Sequence, residues 1–359
     1  MVTAHRFQFT QSLPFYQRQA LEVVSRDGLL MSAAVIVSPT PSELDRAARL
    51  LRDGALVSFP TETVYGLGAD ARNDDAVRRI FAAKRRPSDH PVIVHIAETS
   101  ALDRWARSVP AGARALAAAF WPGPLTLILP RAQGVSDVVT GGEDSVGLRV
   151  PGNAIARELL ARFSALGGEG IAAPSANRFG RVSATTAQHV ADDFCDEVAL
   201  ILDGGPCAHG IESTIVAFAA EKATLLRLGA IPVERINAAL GVPLSIAGAD
   251  APRAPGTLAS HYAPRTPARL FAPNDLRVEL AARPAAHIAV LAHSIAQPPS
   301  FEGVWFDAPA HNAAYAQELY ANLRALDALA ADEIWIEAPP DGPEWSAVRD
   351  RLRRATHRG

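Results

Sequence analysis

Lysine is nearly absent from this chain. Of 35 basic residues only two, Lys84 and Lys222, are lysines, so arginine serves almost wherever a positive charge is placed. A lysine then marks either chance, as Lys222 illustrates, or a place where a compact, flexible ammonium fits and a planar guanidinium does not. Cysteine is equally scarce. Cys195 and Cys207 stand 12 residues apart, with no Cys-x-x-Cys and no paired histidines. That spacing gives no basis for a disulfide framework or a protein metal site and fits a reducing, cytoplasmic location. No apolar run approaches the roughly 20 residues of a membrane helix, so no membrane partner is expected. The formal net charge is −3; nothing draws the whole chain to a polyanion, and any anion site must be local. Also missing are Gly-x-x-x-x-Gly-Lys-[Ser/Thr], Gly-x-Gly-x-x-Gly and Gly-x-Ser-x-Gly, which disfavours the common nucleotide folds and serine hydrolases.

What is present is an ordinary soluble α/β composition. With 359 residues, 48% apolar and 20% charged, the chain has material for two cores. Residues 1–31 are polar and aromatic with weak periodicity and no signal-peptide core. They are expected to be a disordered extension or an upstream mis-start ahead of Met31. Thr40-Pro-Ser-Glu43 has capping-box spacing with proline at the first helical position, and Leu44, Ala47, Ala48 and Leu51 follow at helical intervals. Residues 55–59 read as a buried strand whose carboxyl end opens into a loop at 60–68. A helix from near Asn73 carries Val77, Ile80, Phe81 and Lys84 on one stripe. Arg85-Arg-Pro87 stops it, which places the Lys84 ammonium at the rim beside that loop.

Residues 91–96 read as the next strand, with His95 on the face of Ile93. Further strands are expected at 125–129, 146–150, 170–173, 198–202, 214–218 and 225–228, with helices near 111–119, 154–165, 185–194 and 232–240. This mixed order, with several short direct connections, predicts a twisted α/β sheet rather than a strictly alternating doubly wound one. After Gly241 the chain becomes rich in Ala, Pro, Gly and Arg, without sustained period. Strands then recur at 269–271, 288–291 and 333–336, with helices near 313–329 and 343–355. The organisation read from this is an extension at 1–31, a first domain at 32–241, a linker at 242–267 and a smaller α/β domain at 268–359.

The chemistry lies in hydroxyls and cations set at or just after strands. These are Thr61 and Thr63, Lys84 and Arg86, Ser145 with Arg149, Pro174-Ser-Ala-Asn177 with Ser183, Glu212-Ser-Thr214, and Arg227. Such donors bind phosphates and carboxylates, arginine by bidentate contact and lysine as a point charge. Each motif alone is explained as well by a turn or a salt bridge; a lone histidine such as His95 is more often a core residue. Their joint occurrence is harder to dismiss.

Six motifs, five overlapping these and one in the linker segment, carry a resemblance by their order: Pro60-Thr-Glu-Thr-Val-Tyr-Gly-Leu-Gly68, Lys84-Arg-Arg-Pro87, Val146-Gly-Leu-Arg-Val-Pro151, Pro174-Ser-Ala-Asn177, Glu212-Ser-Thr-Ile215 and Ser260-His-Tyr-Ala-Pro264. Together they resemble the threonylcarbamoyl-adenylate synthase family over about residues 32–359, in its long form with a YrdC-like catalytic domain and a small Rossmann-like C-terminal domain. The resemblance implies a nucleotidyltransferase that joins L-threonine, bicarbonate or CO2 and ATP into threonylcarbamoyl-AMP and pyrophosphate. A separate tRNA threonylcarbamoyl transferase would use the product.

It also implies a threonine pocket of Thr63, His95, Arg149, Ala173 and Ser213. The implied ATP site is Lys84, Arg86, His90, Ser145, Ser175, Ser183, Arg227 and, from the linker, Tyr262. Lys84 and Arg86 would be the catalytic pair, acting electrostatically without a covalent nucleophile. Mg2+ would arrive chelated by ATP rather than in a protein cage, and the linker would act as a lid over the active site. His90 departs from the Asn that some members carry there. The alternatives are an RNA-binding YrdC-like module, with RNA contact expected to be weak at this net charge, and a carbamoyl-transfer enzyme on the same fold.

Overall fold

In the computed structural model the described residues are 35–194, 196–248, 252–282 and 287–357. The expected extension at 1–31 and Cys195 lie outside them. Eleven strands build one mixed sheet: β1 (Ile36–Val37), β2 (Val57–Phe59), β3 (Gly66–Asp70), β4 (Ile93–His95), β5 (Leu125–Pro130), β6 (Ser145–Arg149), β7 (Ile171–Ala172), β8 (Leu200–Leu202), β9 (Thr214–Ala219), β10 (Lys222–Arg227) and β11 (Ser245–Ile246). Their order is β1-β8-β2-β3-β7-β4-β6-β5-β9-β10-β11. Four more, β12 (Ala268–Phe271), β13 (Ile288–Ala292), β14 (Val304–Asp307) and β15 (Glu333–Glu337), form a separate parallel sheet in the order β12-β15-β13-β14. This is the mixed α/β architecture with a second, smaller α/β sheet that the sequence pattern predicts.

The helix Pro41–Arg52 starts as expected and buries Leu44, Ala47, Ala48 and Leu51. Only half of its capping box forms. The Thr40 hydroxyl accepts from the Glu43 amide at 3.3 Å, but the Thr40 amide donates to Ser38 O and the Glu43 carboxylate pairs with Arg46. The helix Asp74–Lys84 is capped by the Asn73 side chain, which accepts from the Asp75 and Ala76 amides. It ends at Arg85, held in the left-handed region at φ 51°.

The loop expected over 60–68 is shorter than that. Gly66–Asp70 is a strand, antiparallel to β2 and to β7. Its sequence, Gly-Leu-Gly-Ala-Asp, lacks the β-branched and aromatic residues that mark strands. Gly68 explains why: a Cβ there would lie 2.8 Å from the Phe59 ring and 2.9 Å from Ile171 Cγ2, so close packing of neighbouring strands excludes a side chain. Also unforeseen are β1, β14, the helix Pro273–Ala282, and β11, which pairs with β10 inside the segment expected as linker.

The two sheets share packing. Val64, Val182, Ile211 and Tyr262 join one apolar cluster with Leu319 and Tyr320 from the helix Asn312–Asp327, Val348 and Leu352 from the helix Ser346–Ala355, and Trp345 just before the latter. No helix among the described residues is long and apolar enough to cross a membrane.

Candidate active site

The carboxyl ends of β2, β4 and β6, the turn after β2 and the segment 255–262 converge on one cavity. Ten of the residues assigned to substrates by resemblance line it: Thr63, Lys84, Arg86, His95, Arg149, Ala173, Ser175, Ser213, Arg227 and Tyr262.

One end of the cavity is organised around Arg149. β4 and β6 are parallel and in register, so His95 and Arg149 are direct neighbours. Arg149 Nη1 donates to the Thr63 hydroxyl at 3.0 Å, Nη2 to Glu62 Oε1 at 2.6 Å and Nε to Gly123 O at 3.3 Å. Glu62 is fixed in turn, because its Oε2 accepts from the amides of Gly152 at 2.9 Å and Asn153 at 3.2 Å. Burial pushes the Glu62 carboxyl up, but the Arg149 charge and these hydrogen bonds outweigh it and hold it below its ordinary value. The turn carrying Thr63 is held by Thr61, whose hydroxyl donates to Val64 O at 2.7 Å. His95 is buried with neither ring nitrogen hydrogen-bonded. Burial, with a smaller push from Arg149, lowers it to about 3, so the ring is neutral. The Ala173 amide donates to Ile93 O at 2.9 Å, and the Ser213 hydroxyl lies 2.8 Å from that of Thr126.

The other end is cationic. Lys84 is 1% exposed, so its ammonium does not reach for solvent. It donates to Ser175 O at 2.6 Å and to Asn177 O, two carbonyls that a compact donor can serve together. Burial and then the Arg86 charge lower its pKa well below the usual lysine value. Arg86 Nη2 donates to Pro91 O at 2.8 Å, its Nε has no partner, and burial brings it down to about 10. Arg227 donates through Nε and Nη2 to Ser213 O, and through Nη1 to Pro255 O at 2.8 Å. Burial lowers it as well.

The segment 255–262 closes the cavity. Tyr262 is buried at φ 61° with its hydroxyl unpartnered, and Gly256 packs on it. With this segment in place about 50 Å³ remains open, far below the roughly 300–1,000 Å³ typical of small-molecule sites.

Three residues assigned to ATP do not line the cavity. Ser145 begins β6, four residues before Arg149, which at about 3.3 Å per residue is roughly 13 Å along the strand. The Ser183 hydroxyl is buried and donates to Glu212 Oε1 at 2.7 Å. His90 sits edge-on behind Phe179, ring centres 5.3 Å apart, and it is Phe179 that faces the cavity. Conversely, Asn177, Phe179, Glu212 and His261 line the cavity without a role read from sequence, and Glu62 supports it through Arg149. Glu62, Asn177, Glu212 and His261 lie within motifs that were legible; Phe179 carries no such signal.

A family model described as telomere recombination, covering Sua5, YciO and YrdC proteins, matches residues 49–229, and one described as the C-terminal domain of threonylcarbamoyl-AMP synthase matches residues 231–356. Among curated relatives, threonylcarbamoyl-AMP synthase of Pyrococcus abyssi is 46% identical over 61% of this chain and 64% of its own length. That of Bacillus subtilis is 43% identical over 68% and 70%, and that of Schizosaccharomyces pombe 32% over 89% of each. The solved structure of P. abyssi Sua5 complexed with L-threonine superposes with a TM-score of 0.81 at 36% identity, covering 90% of this chain and 97% of that one. A doubly substituted form of that protein gives 0.82 at 34%, covering 90% and 96%. This chain therefore belongs to the threonylcarbamoyl-AMP synthase family, in the form that carries both the catalytic domain and the C-terminal domain.

Proposed function

We propose that this cavity makes threonylcarbamoyl-AMP and pyrophosphate from L-threonine, bicarbonate or CO2 and Mg·ATP. The observation that carries the reading is a set of buried polar atoms left without partners and gathered on one cavity: Arg86 Nε, both His95 nitrogens, Asn177 Oδ1, His261 Nδ1 and the Tyr262 hydroxyl. Buried polar groups are nearly always satisfied, so such a cluster reads as one completed by ligands.

Arg149, held in orientation by Glu62 and Thr63, suits the amino-acid carboxylate. The amine gains a carboxyl group from CO2 and loses a proton, and the resulting carbamate oxygen bonds the α-phosphorus as the bond to the β-phosphate oxygen breaks. Two anions meet in that step while charge builds on pyrophosphate. Lys84, Arg86 and Arg227 offset the repulsion and stabilise the leaving group, and positioning supplies the rest. The donors here are cations and hydroxyls, and both oxygens of the one cavity carboxylate, Glu212, are engaged; Mg2+ accordingly enters as part of the nucleotide substrate.

The small open volume supports a mobile linker. ATP enters only if the segment carrying Gly256 and Tyr262 lifts away, and its return excludes water from a labile intermediate. A cytoplasmic site of action and delivery to a tRNA threonylcarbamoyl transferase complete the reading. The test is incubation with ATP, bicarbonate and single amino acids, measuring pyrophosphate and the acyl-adenylate by mass spectrometry. Product with threonine well above serine or blank is expected. Salt-sensitive RNA binding without that product would support an RNA-binding module instead, and turnover of carbamoyl phosphate a carbamoyl transferase.

A further inference from the structure

Glu212 is a buried carboxylate, 5% exposed, in the wall of a cavity otherwise furnished with cations. It is held from outside the eleven-stranded sheet. Its Oε1 accepts from the Ser183 hydroxyl at 2.7 Å, while Oε2 accepts from the Tyr320 hydroxyl at 3.0 Å and from Arg351 Nε at 2.7 Å. Tyr320 and Arg351 belong to the two helices that pack on the four-stranded sheet, and neither lines the cavity. Arg351 is fully buried and spans the junction, donating also to Leu228 O at 2.8 Å and pairing with Asp350 at 2.8 Å. Its guanidinium carbon lies 5.1 Å from the centre of the Tyr262 ring, which stacks on Tyr320 at 5.6 Å.

We infer that Arg351 and Tyr320 are positioning residues for the active site, supplied by the C-terminal domain: they fix and neutralise the Glu212 carboxylate, so that a polyanionic nucleotide can enter beside it and Ser213 and Arg227 stay aimed at the cavity. The inference rests on the reading of this cavity as a nucleotide site. An unpaired carboxylate here would repel the triphosphate and would draw Arg227, whose Nη2 now donates to Ser213 O at 2.9 Å and to the Ser213 hydroxyl at 3.1 Å, toward itself. Breaking one partner from a buried pair leaves the other charge uncompensated, which is why such pairs resist single substitutions poorly. The state of Glu212 agrees: burial pushes it up, but Arg351, Arg227 and the Ser183 hydrogen bond bring it down to about 2. The groups facing it are Arg351 and Arg227 as charges, with His261, Tyr262, Tyr320 and, across Arg351, Asp350 as titratable neighbours.

The test compares wild type, Arg351→Met, Tyr320→Phe and the double variant Arg351→Met/Glu212→Gln, reading KM for ATP, kcat, and their dependence on pH between 5.5 and 8. Arg351→Met is expected to raise KM for ATP at least tenfold at pH 7.5 with a smaller effect on kcat. That defect should shrink toward pH 5.5 as the unpaired Glu212 becomes protonated. Removing the stranded charge in the double variant should restore KM to within threefold of wild type. An unchanged KM in Arg351→Met, or a double variant as impaired as the single one, overturns the inference. If Arg351→Met does not fold, Tyr320→Phe decides, because it deletes one hydrogen bond and no charge: a two- to fivefold rise in KM supports the inference and none refutes it. Wild type that releases no threonine-dependent pyrophosphate refutes the functional reading instead. The network is then judged by thermal unfolding, where Arg351→Met must lower the Tm and the double variant recover it.

Discussion

Arg149 Nη2 lies 2.6 Å from Glu62 Oε1, and the opposite oxygen of that carboxylate is tied to the amides of Gly152 and Asn153. A side chain adjacent in sequence to Thr63 thus anchors, across the fold, the guanidinium that Thr63 also touches. Glu62, Thr63 and Gly123 O together engage all three guanidinium nitrogens and so fix the orientation of the arginine.

Glu62→Gln keeps the shape and removes the charge. Charge-assisted hydrogen bonds are worth about 1.5–3 kcal/mol, so KM for threonine should rise by about tenfold or more, with KM for ATP little changed. Steady-state kinetics with each substrate varied separately checks this. Equal rises in both would mean that Glu62 supports the whole cavity rather than the Arg149 end.

Lys84 is buried and serves two backbone carbonyls. Lys84→Ala is expected to cut the rate of pyrophosphate release by at least a hundredfold, in line with losses from removing one preorganised donor. Lys84→Arg should fail to rescue it, since a planar fork does not replace a point charge aimed at two convergent carbonyls. Near-normal turnover in Lys84→Ala would remove Lys84 from the proposed mechanism, and near-normal turnover in Lys84→Arg would remove the requirement for an ammonium.

Acid sensitivity of the ligand-free protein follows from its histidines, of which the buried His95 and His261 are lowered furthest, with His189 lowered to about 4 and His90 and His209 lowered as well. His95 and His261 are each lowered by burial from the ordinary 6.5 to about 3. Well above pH 6.5 both are neutral in the folded and unfolded chains and contribute no pH dependence. Below it the unfolded chain takes up protons that the folded chain refuses until near pH 3, so stability falls with pH by up to about 1.4 kcal/mol per unit for each histidine. Glu212 adds its own loss only between 4.5 and about 2. The Tm should therefore drop between pH 7 and pH 5, and His95→Gln should flatten that slope. An identical slope in wild type and variant would contradict the buried, neutral assignment.

The sequence was legible wherever a candidate side chain sits in a short motif, at a strand end as with His95, Arg149 and Ser213, in the turn after β2 as with Thr63, at a helix end as with Lys84 or in the linker as with Tyr262; all of these line the cavity. Legibility failed for two physical reasons. β3 is built on close approach rather than on side chains, so its glycines looked like a loop. Long-range partners leave no local pattern: Arg351 and Glu212 are separated by 139 residues, and nothing around Arg351 distinguishes it from the other arginines of its helix. Two assigned residues stand off the cavity wall for the same reason. Ser183 is beside the right neighbour but turned to Glu212, and His90 is screened by Phe179.

Gly256 offers a direct test of the linker. It holds φ at +78°, where a side chain is strained, and a Cβ on it would come within 2.1 Å of the Tyr262 hydroxyl and 3.0 Å of Arg227 Nη1. Gly256→Ala should therefore push the segment off the cavity while leaving both sheets intact. The expected outcome is a several-fold higher KM for ATP, faster proteolytic cleavage within 252–262 and a Tm close to wild type. Adding ATP and threonine should slow that cleavage in wild type more than in the variant, because only the unmodified glycine lets Tyr262 return over the bound substrates. A variant with wild-type KM and wild-type protection would show that closure of this segment does not depend on the Gly256 and Tyr262 contact.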